Sequence, residues 1–392
     1  MAETIKHAQT DREPVVYLSG RIDSSNAADI QEKLLEKLRG SDGQTLEINM
    51  RDVEYVSSAG LRVFMKLMKD GANLKITEVS SEVYEIFSVT GFTELLDIKK
   101  AYRTMSVDGC EVIGSGFSGT IYRVDDDTIV KVYDAPDSIP MIENEKRRAK
   151  QAFLAGIPTA ISFDIVKVGD KYGAVFELLK AKTLNDILID EPERADEIIK
   201  YFVDFVKLVH ATEVTPGSLP YSPHKYIGYL ASIRRYLTDE QYEKLKIFFE
   251  GFPQNDHVVH GDFHMKNTML VDGEPMLIDM DTLSAGAPIF DIAGMYVTYM
   301  AFKEDEPGNS MKFLGISDEM TDRIWYGIMD NYFADATDDV KSVINDRIRL
   351  VAAVRFLHIL EGAGMTTGEL GLKRVRHTQE NISKLLEKVD LS

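Results

Sequence analysis

Cysteine is nearly absent. Cys110 is the single one in 392 residues, so no intramolecular disulfide framework can form, and the chain fits a reducing compartment. Tryptophan is equally scarce, at one. No run of about 18 apolar residues occurs, so no spanning helix is expected. The N-terminal MAETIKHAQTDREP carries charge throughout and lacks the apolar h-region of a signal peptide. Positive charge is in deficit, with 45 Lys and Arg against 64 Asp and Glu, a net charge of −19. That balance argues against broad electrostatic binding to nucleic acid or anionic lipid. Together these absences predict a cytoplasmic protein with no nucleic-acid and no membrane partner. The excess of negative charge falls mostly after residue 100, which would suit a cationic small acceptor. What is present is core material: 44% of residues are hydrophobic, with 18 Phe and 17 Tyr. The length suits two or three domains.

Residues 1–100 alternate strand and helix signals. Val15-Val16-Tyr17-Leu18 is a β-rich run ended by Ser19-Gly20. Ala28, Ile30, Leu34, Leu35 and Leu38 then recur as a helical stripe. Leu46, Ile48 and Met50 alternate as in a half-buried strand, and Leu61, Phe64, Met65 and Met68 mark a second helix. Another strand at Leu74–Thr77 and a helix opened by Ser81 complete a pattern that predicts a compact α/β sheet domain. A serine before a helix, as Ser58 is expected to be, is first of all an N-cap, and the unpaired N–H groups there also suit a phosphate.

The pieces LSGRID at 18–23, LEINM at 46–50, VEYVSSAGLRVF at 53–64 and FSVTGFTELL at 87–96 resemble the STAS domain of anti-anti-sigma factors. The resemblance implies a regulatory domain that meets a protein partner. It also implies that Ser58, with Ser57 where many members have Asp, is the serine phosphorylated to switch that binding.

After a linker at 101–108 the pattern changes. Glu111-Val112-Ile113 leads into Gly114-Ser-Gly116-Phe-Ser-Gly119 and returns as Thr120-Ile121-Tyr122-Arg123-Val124. A dinucleotide-binding fingerprint would open a helix at this point. A glycine turn between two strands instead matches a phosphate-covering loop, whose missing side chains let backbone approach phosphates. Lys131 follows in the next strand, IVKVY, where kinases keep the lysine that reaches the α- and β-phosphates. Helix 141–155 offers Glu143 and Glu145 to hold it. Two residues apart, they point to different faces, and Ala149 and Ala152 continue the face of Glu145. Further strands are expected at Ile161–Val168 and Gly173–Leu178, and long helices from 194 onward.

The densest signal is His260-Gly-Asp262-Phe-His264-Met-Lys266-Asn267. Asp and Asn five apart on a loop let one receive an acceptor proton and the other ligate magnesium. The turn Asp272-Gly273 between apolar runs is a hairpin signal that returns Asp279 beside Asn267. Zinc at His257, His260 and His264 is disfavoured, because no cysteine accompanies them and they share no helical face. His260 is expected to orient the loop backbone, and Asp281 to be structural.

HGDFHMKN and LIDMD…DIAG resemble the phosphotransferase family that includes aminoglycoside and choline kinases. The likeness covers about 110–300 well and the rest loosely. It implies an ATP- and Mg2+-dependent kinase with an alcohol group as acceptor, of aminoglycoside or choline-like kind. Asp262 would be the catalytic base, Asn267 and Asp279 the metal ligands, Lys131 the phosphate lysine paired with Glu145, and Asp291 a brace for the loop. Gly114, Gly116 and Gly119 would cover the phosphates, with Glu177 and Leu179 at the hinge that meets adenine. Asp279 is followed by Met280 and Asp281, so there is no DFG, and no APE segment follows. Those departures argue against an ordinary protein kinase. Acceptor sites in this fold come from divergent C-terminal helices such as those near Trp325 and Phe356. The expected architecture is a small STAS-type α/β sheet domain (1–100) followed by a bilobal kinase-like fold. An antiparallel β N-lobe spans 109–180 and a mostly helical C-lobe 181–392. A nucleotide-sensing partner switch without small-molecule turnover is the alternative.

Overall fold

The computed structural model of the chain describes residues 15–39, 45–116 and 119–390. It divides into two compact units, Met1–Ser106 and Val107–Ser392.

In the first unit β1 (Val15–Ile22), α1 (Ala27–Arg39), β2 (Leu46–Val56), α2 (Ser58–Lys69), β3 (Leu74–Val79), α3 (Ser81–Val89) and β4 (Asp97–Lys100) alternate along the chain. Among the described residues the four strands form a sheet in the order β1-β2-β3-β4, each pair parallel. Parallel neighbours need a crossover, and the three helices supply it. Val16, Ile48 and Ile76 from the strands pack with Leu34, Phe64 and Phe87 from the helices in one buried core.

In the second unit β5 (Glu111–Ser115), β6 (Gly119–Arg123), β7 (Thr128–Tyr133), α4 (Ile139–Leu154), β8 (Asp164–Val168) and β9 (Lys171–Glu177) form the first lobe. The strands lie in the order β8-β9-β7-β6-β5, antiparallel throughout. The strand expected from Ile161 begins only at Asp164. The segment before it takes its backbone bonds elsewhere, since Ala160 N–H donates to Leu277 O at 3.2 Å and Leu277 N–H donates to Pro158 O at 2.9 Å.

The second lobe is helical. Its main helices are α5 (Leu184–Asp190), α6 (Ala195–Ala211), α7 (Ser222–Ser232), α8 (Asp239–Glu250), α9 (Ile289–Tyr296), α10 (Asp318–Tyr332), α11 (Asp338–Gly362) and α12 (Gly368–Leu386). Between α8 and α9 lies a hairpin of β10 (Thr268–Val271) and β11 (Glu274–Leu277). Its turn is Asp272-Gly273, with φ of 51° and 84°. Two successive positive φ values define the turn whose twist matches paired strands, and Asp-Gly adopts it readily. Trp325 and Phe356, named above as neighbours of an acceptor site, are buried in the core. Trp325 meets Tyr296 edge-on, and Phe356 meets Phe302 in the same way.

Candidate active site

The loop after Val259 is fixed from beneath by a single carboxylate. Asp291, in the first turn of α9 and fully buried, accepts from His260 N–H at 2.8 Å and Gly261 N–H at 2.6 Å. His210 Nε2 on α6 meets the same carboxylate at 3.0 Å. Burial alone would raise the pKa of Asp291, but His210 and the donated hydrogen bonds hold it below the usual carboxylate value. His260 is itself buried, and burial lowers its pKa, which leaves the ring neutral. Its Nε2 donates to Ile278 O at 3.1 Å, so Nδ1 is the acceptor for Asp262 N–H at 3.2 Å. Gly261 has φ +86°, and a Cβ there would lie 2.6 Å from Thr282 O. Only glycine lets the loop and the 282 turn approach so closely.

Asp262 is surrounded by donors. Arg355 Nη2 donates to Oδ1 at 3.0 Å, Asn267 Nδ2 to Oδ2 at 3.2 Å, and His264 Nε2 stands 3.4 Å from Oδ2. Asn267 Nδ2 also donates to Asp262 O at 2.9 Å, and Arg355 to Gly261 O. Burial would raise the pKa of Asp262, but His264 and then Arg355 hold it well below the carboxylate range. Asp262 is therefore ionised at neutral pH, and 37% of its side chain remains open. Sequence reading missed Arg355. The signal was an arginine set within the apolar run LVAAVRFLHIL of α11, where a charge needs a buried partner.

The β10–β11 hairpin returns the chain to the loop, and Ile278 N–H donates to Asn267 O at 3.1 Å. Asp279 follows with φ +61°, unusual for a residue other than glycine. Lys131 Nζ on β7 donates to Asp279 Oδ1 at 2.8 Å and lies 3.4 Å from both carboxylate oxygens of Glu145 on α4. Glu145 is buried and also accepts from Tyr133 Oη at 2.5 Å, whereas Glu143 is exposed. Burial works against the charge of Lys131, but Asp279 and Glu145 outweigh it and raise its pKa. Asp281 is pushed up to about 7, first by burial and then by the negative charge of Asp279. Lys131, Glu145, Asp262, Asn267, Asp279, His260 and Asp291 thus form one constellation, to which the structure adds Tyr133, His210, His264 and Arg355.

The glycines have separate reasons. A Cβ on Gly119 would lie 2.1 Å from Val132 O, so this residue answers first to the packing of β6 on β7. Gly116 has open space around it, and its N–H donates to Gly119 O at 2.9 Å. The middle of the loop, 117–118, lies outside the described residues. At the end of β9, Leu178 N–H is taken by Asp127 O at 2.8 Å. Glu177 and Leu179, expected at the hinge, flank that bond. The three histidines set aside as a zinc site have different surroundings: His257 bonds Asn255 at 2.6 Å, His260 the loop backbone, and His264 Asp262.

In the first unit the N-cap of α2 is Ser57 rather than Ser58. Ser57 is extended (φ −84°, ψ 174°), and its oxygen accepts from Ala59 N–H at 3.1 Å and Gly60 N–H at 3.4 Å. The backbone fixes the difference: Ser57 N–H donates to Ile22 O at 2.8 Å, which holds that residue outside the helix. Ser58 is the first helical residue and is exposed. Gly60 lies against β1 and β2, where a Cβ would be 2.7 Å from Ile22 Cγ2 and 2.9 Å from Val56 Cγ1.

Residues 109–313 match the model of the phosphotransferase enzyme family. The chain belongs to that family. Residues 5–97 match the Mlab-type STAS domain, so this phosphotransferase carries a STAS domain at its N-terminus. Over 94 residues it is 32% identical to the anti-sigma-B factor antagonist of Bacillus subtilis (strain 168), covering 23% of this chain and 84% of that protein. The anti-sigma-B factor antagonist of Listeria monocytogenes serovar 1/2a is 28% identical over 106 residues, covering 26% and 91%. Among solved structures, a thermostable mutant of aminoglycoside phosphotransferase APH(4)-Ia in its apo form has a TM-score of 0.49 at 12% identity. It covers 71% of this chain and 94% of its own. ADP-bound aminoglycoside phosphotransferase APH(2'')-Ib has a TM-score of 0.45 at 15% identity, covering 71% and 92%.

Proposed function

We propose that this phosphotransferase moves the γ-phosphate of ATP, with Mg2+, to the hydroxyl of a small molecule, and that the STAS domain serves regulation. The observation that carries the reading is Lys131, whose ammonium joins Glu145 to Asp279 while Asp262 and Asn267 meet on the adjoining loop. In phosphoryl transfer the protein contributes positioning and charge more than covalent chemistry, and this arrangement supplies both. Lys131 receives the α- and β-phosphates under the loop of Gly114, Gly116 and Gly119, and adenine meets the backbone at Glu177 and Leu179. The acceptor oxygen bonds to the γ-phosphorus as the bond to the β–γ bridging oxygen breaks. ADP leaves with that electron pair, and the hydroxyl proton passes to Asp262. A carboxylate of such low basicity orients the hydroxyl and takes the proton late, in keeping with a loose transition state.

The amide oxygen of Asn267 and the carboxylate of Asp279 are hard oxygen donors of the kind magnesium takes, and magnesium commonly uses one or two protein ligands plus substrate phosphates. Lys131 engages only Oδ1 of Asp279, whose side chain is 40% exposed. These two residues would hold the ion, which when bound neutralises phosphate charge. The test is Mg-dependent turnover of ATP against a panel of hydroxyl compounds. Asp262→Asn, which keeps the packing against Arg355, is expected to cut transfer about 10²–10⁴-fold. Unchanged transfer overturns the role of Asp262.

A second reading rests on exposed Ser58 in the first turn of α2, where Ser57 already provides the cap. Free N–H groups at a helix start tolerate phosphate, and a phosphorylated Ser58 would switch a partner protein of anti-sigma-factor type. The chain's own kinase unit is a candidate donor, because tethering raises effective concentration where geometry allows contact. Intact mass after incubation with Mg-ATP tests it. One added phosphate that is absent in both Ser58→Ala and Asp262→Asn supports the switch, and an unshifted wild-type mass removes it.

A further inference from the structure

The net charge of the chain is strongly negative, yet cations gather beside Asp262 among its neighbouring carboxylates. Arg148 on α4 donates to Asp281 O, and Lys225 on α7 donates to Thr282 O at 2.6 Å. Two cations from different lobes thus converge on consecutive carbonyls. Those carbonyls are neutral, and among the described residues neither cation is paired with a carboxylate at salt-bridge distance. Arg148 Nε is buried with no hydrogen-bond partner. The 281–282 turn bears directly on the catalytic loop, since Thr282 Oγ1 donates to His260 O at 2.8 Å and Thr282 O fills the space a Cβ on Gly261 would take. Arg355 adds a third cation on Asp262 itself.

Lys225 is pushed down to about 8, first by burial and then by Arg355 and Arg148, which outweigh the opposing pull of Asp291 and Asp281. An aromatic wall adjoins them. Tyr229 follows Lys225 by one helical turn, which places both on one face of α7, and its ring stacks on His358 of α11 with centroids 3.9 Å apart. A lysine held among like charges in a half-buried site is relieved by an anion and aggravated by a cation. The nucleotide phosphates are already assigned to Lys131, which bonds Asp279.

We propose that the acceptor is a small hydroxyl-bearing anion, a carboxylate or a phosphate ester, whose charged group is received by Lys225 and Arg148 beside Asp262. This reading is opposite in sign to the one suggested by the overall charge, and it rests on the phosphotransferase function proposed above.

The test has two arms on the full chain. In the first, sulfate is titrated calorimetrically into the protein, without nucleotide and again in the presence of saturating Mg·ADP. Sulfate is expected to bind in both cases, with affinity lost about ten- to hundredfold in Lys225→Met, as for a charge-assisted hydrogen bond, and recovered in Lys225→Arg. Recovery in the conservative variant distinguishes anion binding from a folding defect. No sulfate binding, equal binding by Lys225→Met, or full displacement by Mg·ADP overturns the proposal; the last outcome would assign these cations to the nucleotide. In the second arm, transfer from ATP is compared for glycerate, glycerol 3-phosphate, glycerol, choline and kanamycin. Preference for the first two supports an anionic acceptor and separates carboxylate from phosphate. Transfer to choline or kanamycin alone overturns it while leaving the phosphotransferase reading intact. Absence of Mg·ADP binding strikes instead at that underlying reading.

Discussion

The loop at 260–267 and the helix start at 57–60 are both short polar segments at which a phosphate is expected to act, and they are built in opposite ways. Around Asp262 the bonds within the loop, from Asn267 and His264, are joined by partners distant in sequence: Asp291 from beneath, Arg355 from α11, His210 through Asp291. At α2 the side-chain hydrogen bonds are local, Ala59 and Gly60 N–H donating to the Ser57 oxygen, and Ser58 faces solvent. A buried network fixes one geometry at the cost of desolvating charge. An exposed first turn fixes little and remains open to modification. The first arrangement suits a reacting centre and the second a switch.

Five substitutions sharpen or break that contrast. Asp279→Asn is expected to have the largest effect, abolishing transfer while a fluorescent ATP analogue still binds in EDTA. Loss of metal-free binding as well would make Asp279 a structural residue. Asp291→Ala leaves two backbone N–H groups and His210 without their buried acceptor, and about 3–5 kcal/mol of stability should be lost. Denaturant unfolding of the second unit measures it, and a change below about 1 kcal/mol would show that the loop is held by something other than Asp291. In the first unit, Gly60→Ala forces a Cβ against Ile22 and Val56 and should cost about 1–3 kcal/mol. The smallest effect tests the capping assignment directly. Ser57→Ala should cost about 1 kcal/mol and speed hydrogen exchange in α2, while Ser58→Ala should stay within about 0.5 kcal/mol. The reverse order would return the cap to Ser58.

How much of this the sequence discloses depends on separation along the chain. The β10–β11 hairpin is legible because Asp272-Gly273 between apolar runs specifies its own turn. The preference for Glu145 over Glu143 follows from helical spacing, since Ala149 and Ala152 share its buried face. Arg355, Arg148 and Lys225 meet the loop region from three different helices, and no local pattern couples them to Asp262. Their only mark is a charge in an unusual setting, as with Arg355 in its apolar run. Ser57 and Ser58 are alike in side chain, and only the bond from Ser57 N–H to Ile22 O decides which residue stands outside the helix. Gly119 shows the converse case. A glycine motif reads as a ligand loop, and the structure gives this residue a packing reason as well, its close approach to Val132 O. The strand expected from Ile161 starts late for a similar reason, because the 158–160 backbone is engaged by Leu277.

The same separations bear on the order in which the site assembles. Asn267 reaches Asp262 across five residues, whereas Arg355 reaches it across 93 and Lys131 reaches Asp279 across 148. Contacts within a loop and its adjoining hairpin close in microseconds, and those between distant segments wait for the chain to collapse. The loop and hairpin can therefore be present in a nascent chain that has not yet joined its lobes, while the lysine link is made only when both lobes have folded. A chain released with a misfolded first lobe would then keep Asp262 and Asn267 in place and still lack the ammonium proposed to receive the phosphates. Nucleotide capture so becomes a report on the completeness of the fold.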